Sequence, residues 1–246
     1  MDGQTRFIGP GLVLFLDQLI VAAANWFYWL IISKIITPSE LGQATVIISL
    51  VVLISTISQL GLEYPLLRKS SIHRQQILGT TLAIELLITI LSVPVIIYVL
   101  GYLYVGSLQR FTWIAIGILI LSSFSFVSRF ALLGISNTKK VLIIDVTGLI
   151  AKFVIGFVTV SVGLGTTGIL LSVLLQGLLI STSALIITNK IFSFKLDNIR
   201  YIKEIIIDGL VNAPSKLSKA IILSLSVVLL ASFGISNSQI GCDASR

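Results

Sequence analysis

ILGTTLAIELLITILSVPVIIYVLG, residues 77–101, decides the fold class, because it is a long apolar run with one ionisable side chain, Glu85. A helix needs about 20 apolar residues to cross the hydrocarbon core of a bilayer. Membrane barrel strands would alternate apolar and polar residues, and this run does not. Because lipid offers no partners to backbone N–H and C=O groups, a helix is the structure that satisfies them internally. The run therefore predicts a transmembrane helix.

Similar runs fill the chain on both sides of this one. Hydrophobic residues make up 56% of the sequence and charged residues 11%, whereas a soluble domain carries about 25% charged residues. The predicted spans cover residues 8–32, 42–66, 77–101, 111–135, 141–162, 167–190 and 205–234. The predicted fold class is therefore all-α: a polytopic membrane helical bundle. We expect a six-span N-terminal lobe at residues 1–200 and the first helix of a truncated second lobe at 201–246.

Basic residues alternate in number from one connection to the next. The side that carries the N-terminus and the even-numbered loops holds Arg6, Arg68, Lys69, Arg74, Lys139, Lys140, Lys190, Lys195, Arg200 and Lys203. The other side holds Lys34 and Arg110. The positive-inside rule then predicts a cell-membrane protein with a cytoplasmic N-terminus. The net charge of +7 is explained by topology, and we predict no nucleic-acid partner.

The connections between spans are too short for a soluble catalytic domain. The longest hydrophilic one, residues 190–204, is compatible with an amphipathic helix on an anionic leaflet and equally with a plain basic linker. Gly163–Gly168 fits G-x-G-x-x-G but lacks the strand that a dinucleotide site requires. His73 and Cys242 are the only residues of their types. We therefore predict no metal, no cofactor and no enzymatic activity.

A short motif occurs twice, at residues 36–42 and 235–241. Both copies fit Ile-[Thr/Ser]-x-Ser-x-[Leu/Ile]-Gly, and both follow a span that ends on the same predicted side. Transporters are commonly built from structural repeats that leave such faint internal symmetry. The second copy therefore predicts the beginning of a second lobe.

Three stretches carry a resemblance to a known family: Ile35–Gly42, Gln59–Lys69 and Asp208–Pro214. They are similar to segments of the polysaccharide-biosynthesis flippases in the multidrug/oligosaccharidyl-lipid/polysaccharide superfamily. The resemblance implies two six-helix lobes, of which this chain resembles the N-terminal one, so a missing C-terminal lobe or a homodimer partner is expected. It also implies that the protein moves lipid-linked oligosaccharide or polysaccharide precursors. The implied partners are membrane lipids and a lipid-diphosphate-linked glycan.

Ionisable residues in the middle of a span are costly and usually mark a function. Asp208 begins a polar stripe at helical spacing in the seventh predicted span. Ammonium groups in a water-filled cleft hold phosphate oxygens as point charges. The predicted ligands of the diphosphate headgroup are Lys152, Asn212, Lys216 and Lys219. The alternative is internal pairing, of Asp208 with Asn212 or Lys216, and of Asp145 with Lys152.

Two acidic residues, Asp17 and Glu85, are candidates for ion coupling. An intramembrane carboxylate is able to bind and release a proton, or to bind Na⁺. The alternative is that each neutralises a buried lysine. Arg129, Asp145 and Glu63 lie near predicted cytoplasmic ends, where their side chains are able to reach water.

Aromatic residues Trp26, Tyr28 and Trp29 follow Asn25 in the outer half of the first span. An interfacial belt explains them best. Stacking against a sugar is the alternative.

The sequence as a whole predicts a flippase that works by alternating access. The nearest alternative is a drug/cation antiporter of the same superfamily, which should favour acidic over basic residues in its cleft. An integral-membrane glycan-assembly enzyme is the third reading. Such an enzyme needs acidic motifs in sizeable loops, and the loops here are short.

Overall fold

The computed structural model describes residues 2–59, 61–70, 77–103, 108–189 and 199–220, and every regular element in these ranges is helical. The helices are α1 (Asp2–Ile32), α2 (Pro38–Gln59), α3 (Glu63–Lys69), α4 (Ile77–Tyr98), α5 (Thr112–Gly134), α6 (Thr138–Ser161), α7 (Gly165–Asn189) and α8 (Ile199–Ala220). A π-helical turn continues α4, and a 3-10 turn precedes α5. Six helices contain apolar stretches of 22 to 26 residues, long enough to cross a membrane. The all-α class is confirmed, each of the first six predicted spans corresponds to one of these helices, and the chain is a multi-span membrane protein.

The second predicted span, 42–66, is wrong at its end. Helix α2 stops at Gln59, and a separate short helix, α3, begins at Glu63. Gly61 lies between them with a φ of 71°, a left-handed conformation that glycine adopts readily. The apolar run continues past this point, so hydropathy alone does not reveal the change of direction.

A capping box begins α2. The Thr37 amide and hydroxyl donate hydrogen bonds to Glu40 Oε2 at 3.1 and 2.9 Å, and the Glu40 amide donates to Thr37 Oγ1 at 3.3 Å. Pro38 occupies the first helical position, where its missing N–H costs nothing. The motif at 36–42 is therefore a helix start. Its second copy, at 235–241, lies outside the described residues.

The seventh predicted span, 205–234, is described only as far as residue 220. Helix α8 begins before it, at Ile199, and its apolar stretch is Ile205–Pro214. Ten residues are too few to cross a bilayer by themselves. Helix α8 packs against α2, α3 and α4 through buried Ile205 and Ala213. Of the predicted amphipathic segment 190–204, the described part forms the first turns of α8.

The six long helices form one bundle, in which α7 packs against α5 and α6, α4 against α5, and α1 against α6. Apolar clusters lie towards both ends. One cluster joins Leu66, Leu78 and Ala131, close to the turn between α5 and α6. We call this the basic end, because α3 and the first turns of α6 and α8 bring Arg68, Lys139, Lys140 and Lys203 there. The opposite end holds the turns that follow α1 and α6.

The outer surface of the bundle is apolar and its interior contains polar contacts. Large side chains such as Leu91 and Trp113 are exposed, Trp113 by 80%. A continuous apolar exterior of this kind suits contact with lipid. Inside, Thr89 and Ser123 share a hydrogen bond of 2.7 Å between α4 and α5. Membrane helices associate through such hydroxyl contacts and close packing, because lipid removes the hydrophobic driving force between them.

Candidate functional site

Lys152 is buried in the middle of α6, with 6% of its surface exposed. Its Nζ donates a 2.7 Å hydrogen bond to Asn25 Oδ1 of α1 and lies 4.4 Å from the centre of the Tyr28 ring. Among the described residues, no carboxylate lies within ion-pair distance of this ammonium group. An amide oxygen and an aromatic face stabilise a cation only in part. Lys152 is therefore a buried cation with spare capacity for an anion.

Tyr28 connects this lysine to a third helix. The Tyr28 hydroxyl and Ser172 Oγ of α7 are 2.7 Å apart. Gly156 of α6 faces the phenol so closely that a Cβ there would lie 2.6 Å from the hydroxyl oxygen. The structure thus places Tyr28 in the protein interior, at 1% exposure, and not in an interfacial belt. Trp26 is exposed and fits the predicted belt.

Replacing Tyr28 with Phe tests the contact between α1 and α7. We expect a loss of about 1 kcal/mol in the free energy of unfolding, the usual value for one buried hydrogen bond. The loss stays small because Ser172 Oγ also donates to the Ile169 carbonyl at 2.7 Å. Titration with a denaturing detergent, followed by circular dichroism, measures it. Tyr64→Phe, at an exposed tyrosine, is the matched control and should change nothing.

A second buried cluster joins α1, α5 and α6. Arg129 Nη2 donates a 2.9 Å hydrogen bond to Asp17 Oδ2 and lies 2.7 Å from Asp145 Oδ2. The second contact is an ion pair without good hydrogen-bond geometry. Asp17 and Asp145 are buried, whereas the Arg129 side chain is 30% exposed. We call these three residues the carboxylate–arginine triad. Asp145 therefore pairs with Arg129 and not with Lys152, which removes one of the alternative pairings.

The sequence contains one signal for the triad, which is the equal depth of its three residues in their spans. Asp17, Arg129 and Asp145 each lie five to seven residues from the basic end of an apolar span. At 1.5 Å per residue this is the same depth, roughly 8–11 Å. Equal depth makes contact feasible, but it does not show which helices are neighbours. The prediction that the Arg129 and Asp145 side chains are able to reach water therefore did not anticipate their contact with each other.

Glu85, the other candidate for ion coupling, lies elsewhere in the bundle. It is buried in α4 with 1% exposure. The triad is formed by α1, α5 and α6, so the structure does not place Glu85 and Asp17 in one site.

Asn212 lies in a cleft between α3 and α8 at the basic end. The cleft has a volume of about 560 Å³ and is lined by Tyr64, Pro65, Leu67, Arg68, Asp208, Val211 and Asn212. The Asn212 amide donates to the Asp208 carbonyl at 2.8 Å, within α8. Lys152 does not line this cleft, so these two predicted ligands are not brought together. The side chains of Lys216 and Lys219 lie outside the described part of the chain.

An apolar groove runs beside Lys152, between α1 and α6. It has a volume of about 270 Å³ and is lined by Tyr28, Ile31, Ile32, Phe153, Val154 and Phe157. One face of the Tyr28 ring is close to the buried ammonium group, and the same residue lines the groove. Tyr28 therefore contacts the buried ammonium group and also lines the apolar groove.

No family model, curated protein or solved structure matches this chain. The six membrane-length helices in the described part of the chain characterise it as a multi-span helical membrane protein.

Proposed function

We propose that this protein is a flippase that moves lipid-linked oligosaccharide or polysaccharide precursors across the cell membrane by alternating access. In this proposal the helical bundle forms one lobe, with its N-terminus and basic end in the cytoplasm. The observation that carries the proposal is Lys152, a buried cation whose described neighbours include no carboxylate. Burying an ion without an opposite charge costs several kcal/mol. Ionisable residues inside membrane spans usually mark a function, and an anionic ligand would supply the missing opposite charge.

The surroundings of Lys152 suit an amphiphilic anion. The groove between α1 and α6 offers apolar contacts to a lipid chain, and Tyr28, one of its lining residues, also contacts the ammonium group. A diphosphate headgroup bound to Lys152 would then leave its chain on the lipid-facing side of the bundle. Lysine suits this task because its charge is compact and its stem is flexible.

The cleft at the basic end supports the same proposal. Two of the stretches that resemble flippases, 59–69 and 208–214, meet there across α3 and α8. Asn212 and Arg68 offer donors to an entering headgroup. In the proposed order of events, the headgroup enters this cleft from the cytoplasm, and Lys152, Lys216 and Lys219 then hold it. Asp17 and Glu85 remain the candidates for coupling to an ion gradient.

Substitution of Lys152 tests the proposal. The purified protein is reconstituted in vesicles that contain a polyprenyl diphosphate with a fluorescent sugar, and a membrane-impermeant quencher reports the fraction that has crossed. We expect Lys152→Met to abolish the protein-dependent crossing and Lys152→Arg to retain part of it. Lys139→Met is the control, because it removes an exposed lysine from the same helix. Lys216→Ala and Lys219→Ala test the remaining predicted ligands.

Two results would contradict the proposal. One is a wild-type protein that accelerates crossing no more than empty vesicles do. The other is a Lys152→Met variant that retains the wild-type rate. Uptake of a hydrophobic organic cation, with no movement of the diphosphate lipid, would instead favour the drug/cation antiporter.

A further inference from the structure

With both of its carboxyl groups ionised, the carboxylate–arginine triad would carry an excess negative charge. Two carboxylates, Asp17 and Asp145, contact one guanidinium nitrogen of Arg129. Because both Oδ2 atoms lie within 2.9 Å of the same nitrogen, they lie close together in a protein interior. Two like charges in such a site raise each other's free energy, and one guanidinium group neutralises only one of them.

Two carboxylate oxygens of the triad, Asp17 Oδ1 and Asp145 Oδ2, have no hydrogen-bond partner. Asp17 Oδ1 is fully enclosed, in a residue that is 1% exposed, and neither protein groups nor Arg129 bind it. A buried carboxylate normally uses both oxygens as acceptors, so an unused oxygen is costly. A bound proton would remove the excess charge, and the hydroxyl group that it forms would need the other carboxylate as its hydrogen-bond acceptor.

Among the side chains that the structure describes, no second cation lies within ion-pair distance of the two carboxylates. The sequence of α7 contains no ionisable residue, and Arg129 is the only one in α5. On α6, Lys139 and Lys140 are exposed at the basic end. Lys152 is two turns beyond Asp145, and its ammonium binds Asn25, which is eight residues or about 12 Å along α1 from Asp17. Lys152 therefore points away from the triad.

We infer that Asp17, Arg129 and Asp145 form a proton-binding site that holds one proton shared between the two carboxyl groups. An O–H bond forms on a carboxyl oxygen of the pair, the proton comes from hydronium in water, and Arg129 keeps all its protons. A metal cation such as Na⁺ fits poorly, because the guanidinium group already lies between the carboxylates and would repel it. Proton binding is independent of the flippase proposal, and only a role in driving transport rests on it.

Infrared difference spectroscopy of the full protein tests this inference. A protonated carboxyl group has its own C=O stretching band, and near neutral pH the solvent-exposed carboxyl groups are already ionised. We expect a wild-type band near neutral pH that disappears in alkaline buffer. Asp17→Asn should remove this band, because the remaining Asp145 is neutralised by Arg129. Asp145→Asn should remove the same band for the corresponding reason.

Glu85→Gln is the matched control, because Glu85 is equally buried but lies outside the triad. The band that Asp17→Asn removes should persist in this variant. Survival of the wild-type band in both Asn variants would overturn the inference, and so would its complete loss in Glu85→Gln. The measurement needs no transport. Loss of the band in the two Asn variants, together with a wild-type crossing rate in Lys152→Met, would therefore reject the flippase and keep the proton site. Survival of the band in both Asn variants, together with abolished crossing in Lys152→Met, would reject the proton site and keep the flippase.

Discussion

Arg129→Gln is expected to destabilise the protein by about 3–5 kcal/mol in mildly alkaline buffer, the typical cost of removing one partner from a buried ion pair. The substitution removes the guanidinium group that contacts Asp17 and Asp145, and both carboxylates stay buried. Their repulsion is then uncompensated. Because the three residues come from three helices, the contacts among α1, α5 and α6 should loosen first.

Unfolding by a denaturing detergent, followed by circular dichroism, measures this loss. Arg110→Gln is the control, since Arg110 is exposed and lies 4.6 Å from the Phe111 ring centre. Its removal should cost about 1 kcal/mol or less. Adding Asp17→Asn and Asp145→Asn to the Arg129→Gln variant makes the cluster neutral and should restore most of the stability. An Arg129→Gln protein no less stable than Arg110→Gln would show that the triad does not hold these helices together.

Gly61→Ala is expected to separate α8 from the end of α2. Gly61 has a φ of 71°, and a left-handed backbone costs a residue with a Cβ roughly 1–2 kcal/mol. A Cβ at this position would also lie 2.5 Å from the Gly209 carbonyl oxygen and 3.0 Å from the Ala213 amide nitrogen. Those are backbone atoms of α8, so the helix must move as a whole.

Hydrogen–deuterium exchange, resolved by mass spectrometry, detects this movement. We expect faster exchange in α3 and α8 and unchanged exchange in α6 and α7. Gly11→Ala is the control, because a Cβ there meets nothing within 4 Å and alanine favours a helix. Wild-type exchange in the α8 of Gly61→Ala would mean that the close approach to Gly209 does not determine where α8 packs.

The long apolar helices were predictable, and the breaks within them were less so. Residues 77–101 and 141–162 clearly predict their helices, because the hydropathy values of many neighbouring residues add up to a strong signal. The end of α2 depends on the backbone of a single residue, Gly61, within a run that stays apolar. The capping box at Thr37 was predictable from the Thr-x-x-Glu spacing of residues 37–40, but the sequence interpretation treated these residues only as part of a repeated motif.

The sequence predicted some of the residues of the candidate site, but it did not predict which residues contact one another. Lys152 and Asp17 were identified because an ionisable residue inside a span is conspicuous. Their partners, Asn25 for the first and Arg129 for the second, come from helices far apart in the chain. No local pattern specifies such pairs, because they depend on which helices are adjacent and how each is rotated.

By itself, therefore, the sequence determined the helical class, six of the seven predicted spans and the accumulation of basic residues at one end. These properties follow from local sums of hydropathy and charge. The hydropathy of a segment determines whether it crosses the bilayer, and the basic residues in the loops determine its orientation. Only the tertiary structure decided that two carboxylates share Arg129, that Lys152 has an amide and a tyrosine ring as neighbours, and that Asn212 lies in a separate cleft. Those outcomes depend on interhelical distances of a few ångströms. Helix packing determines these distances, and the order of residues along the chain does not specify them.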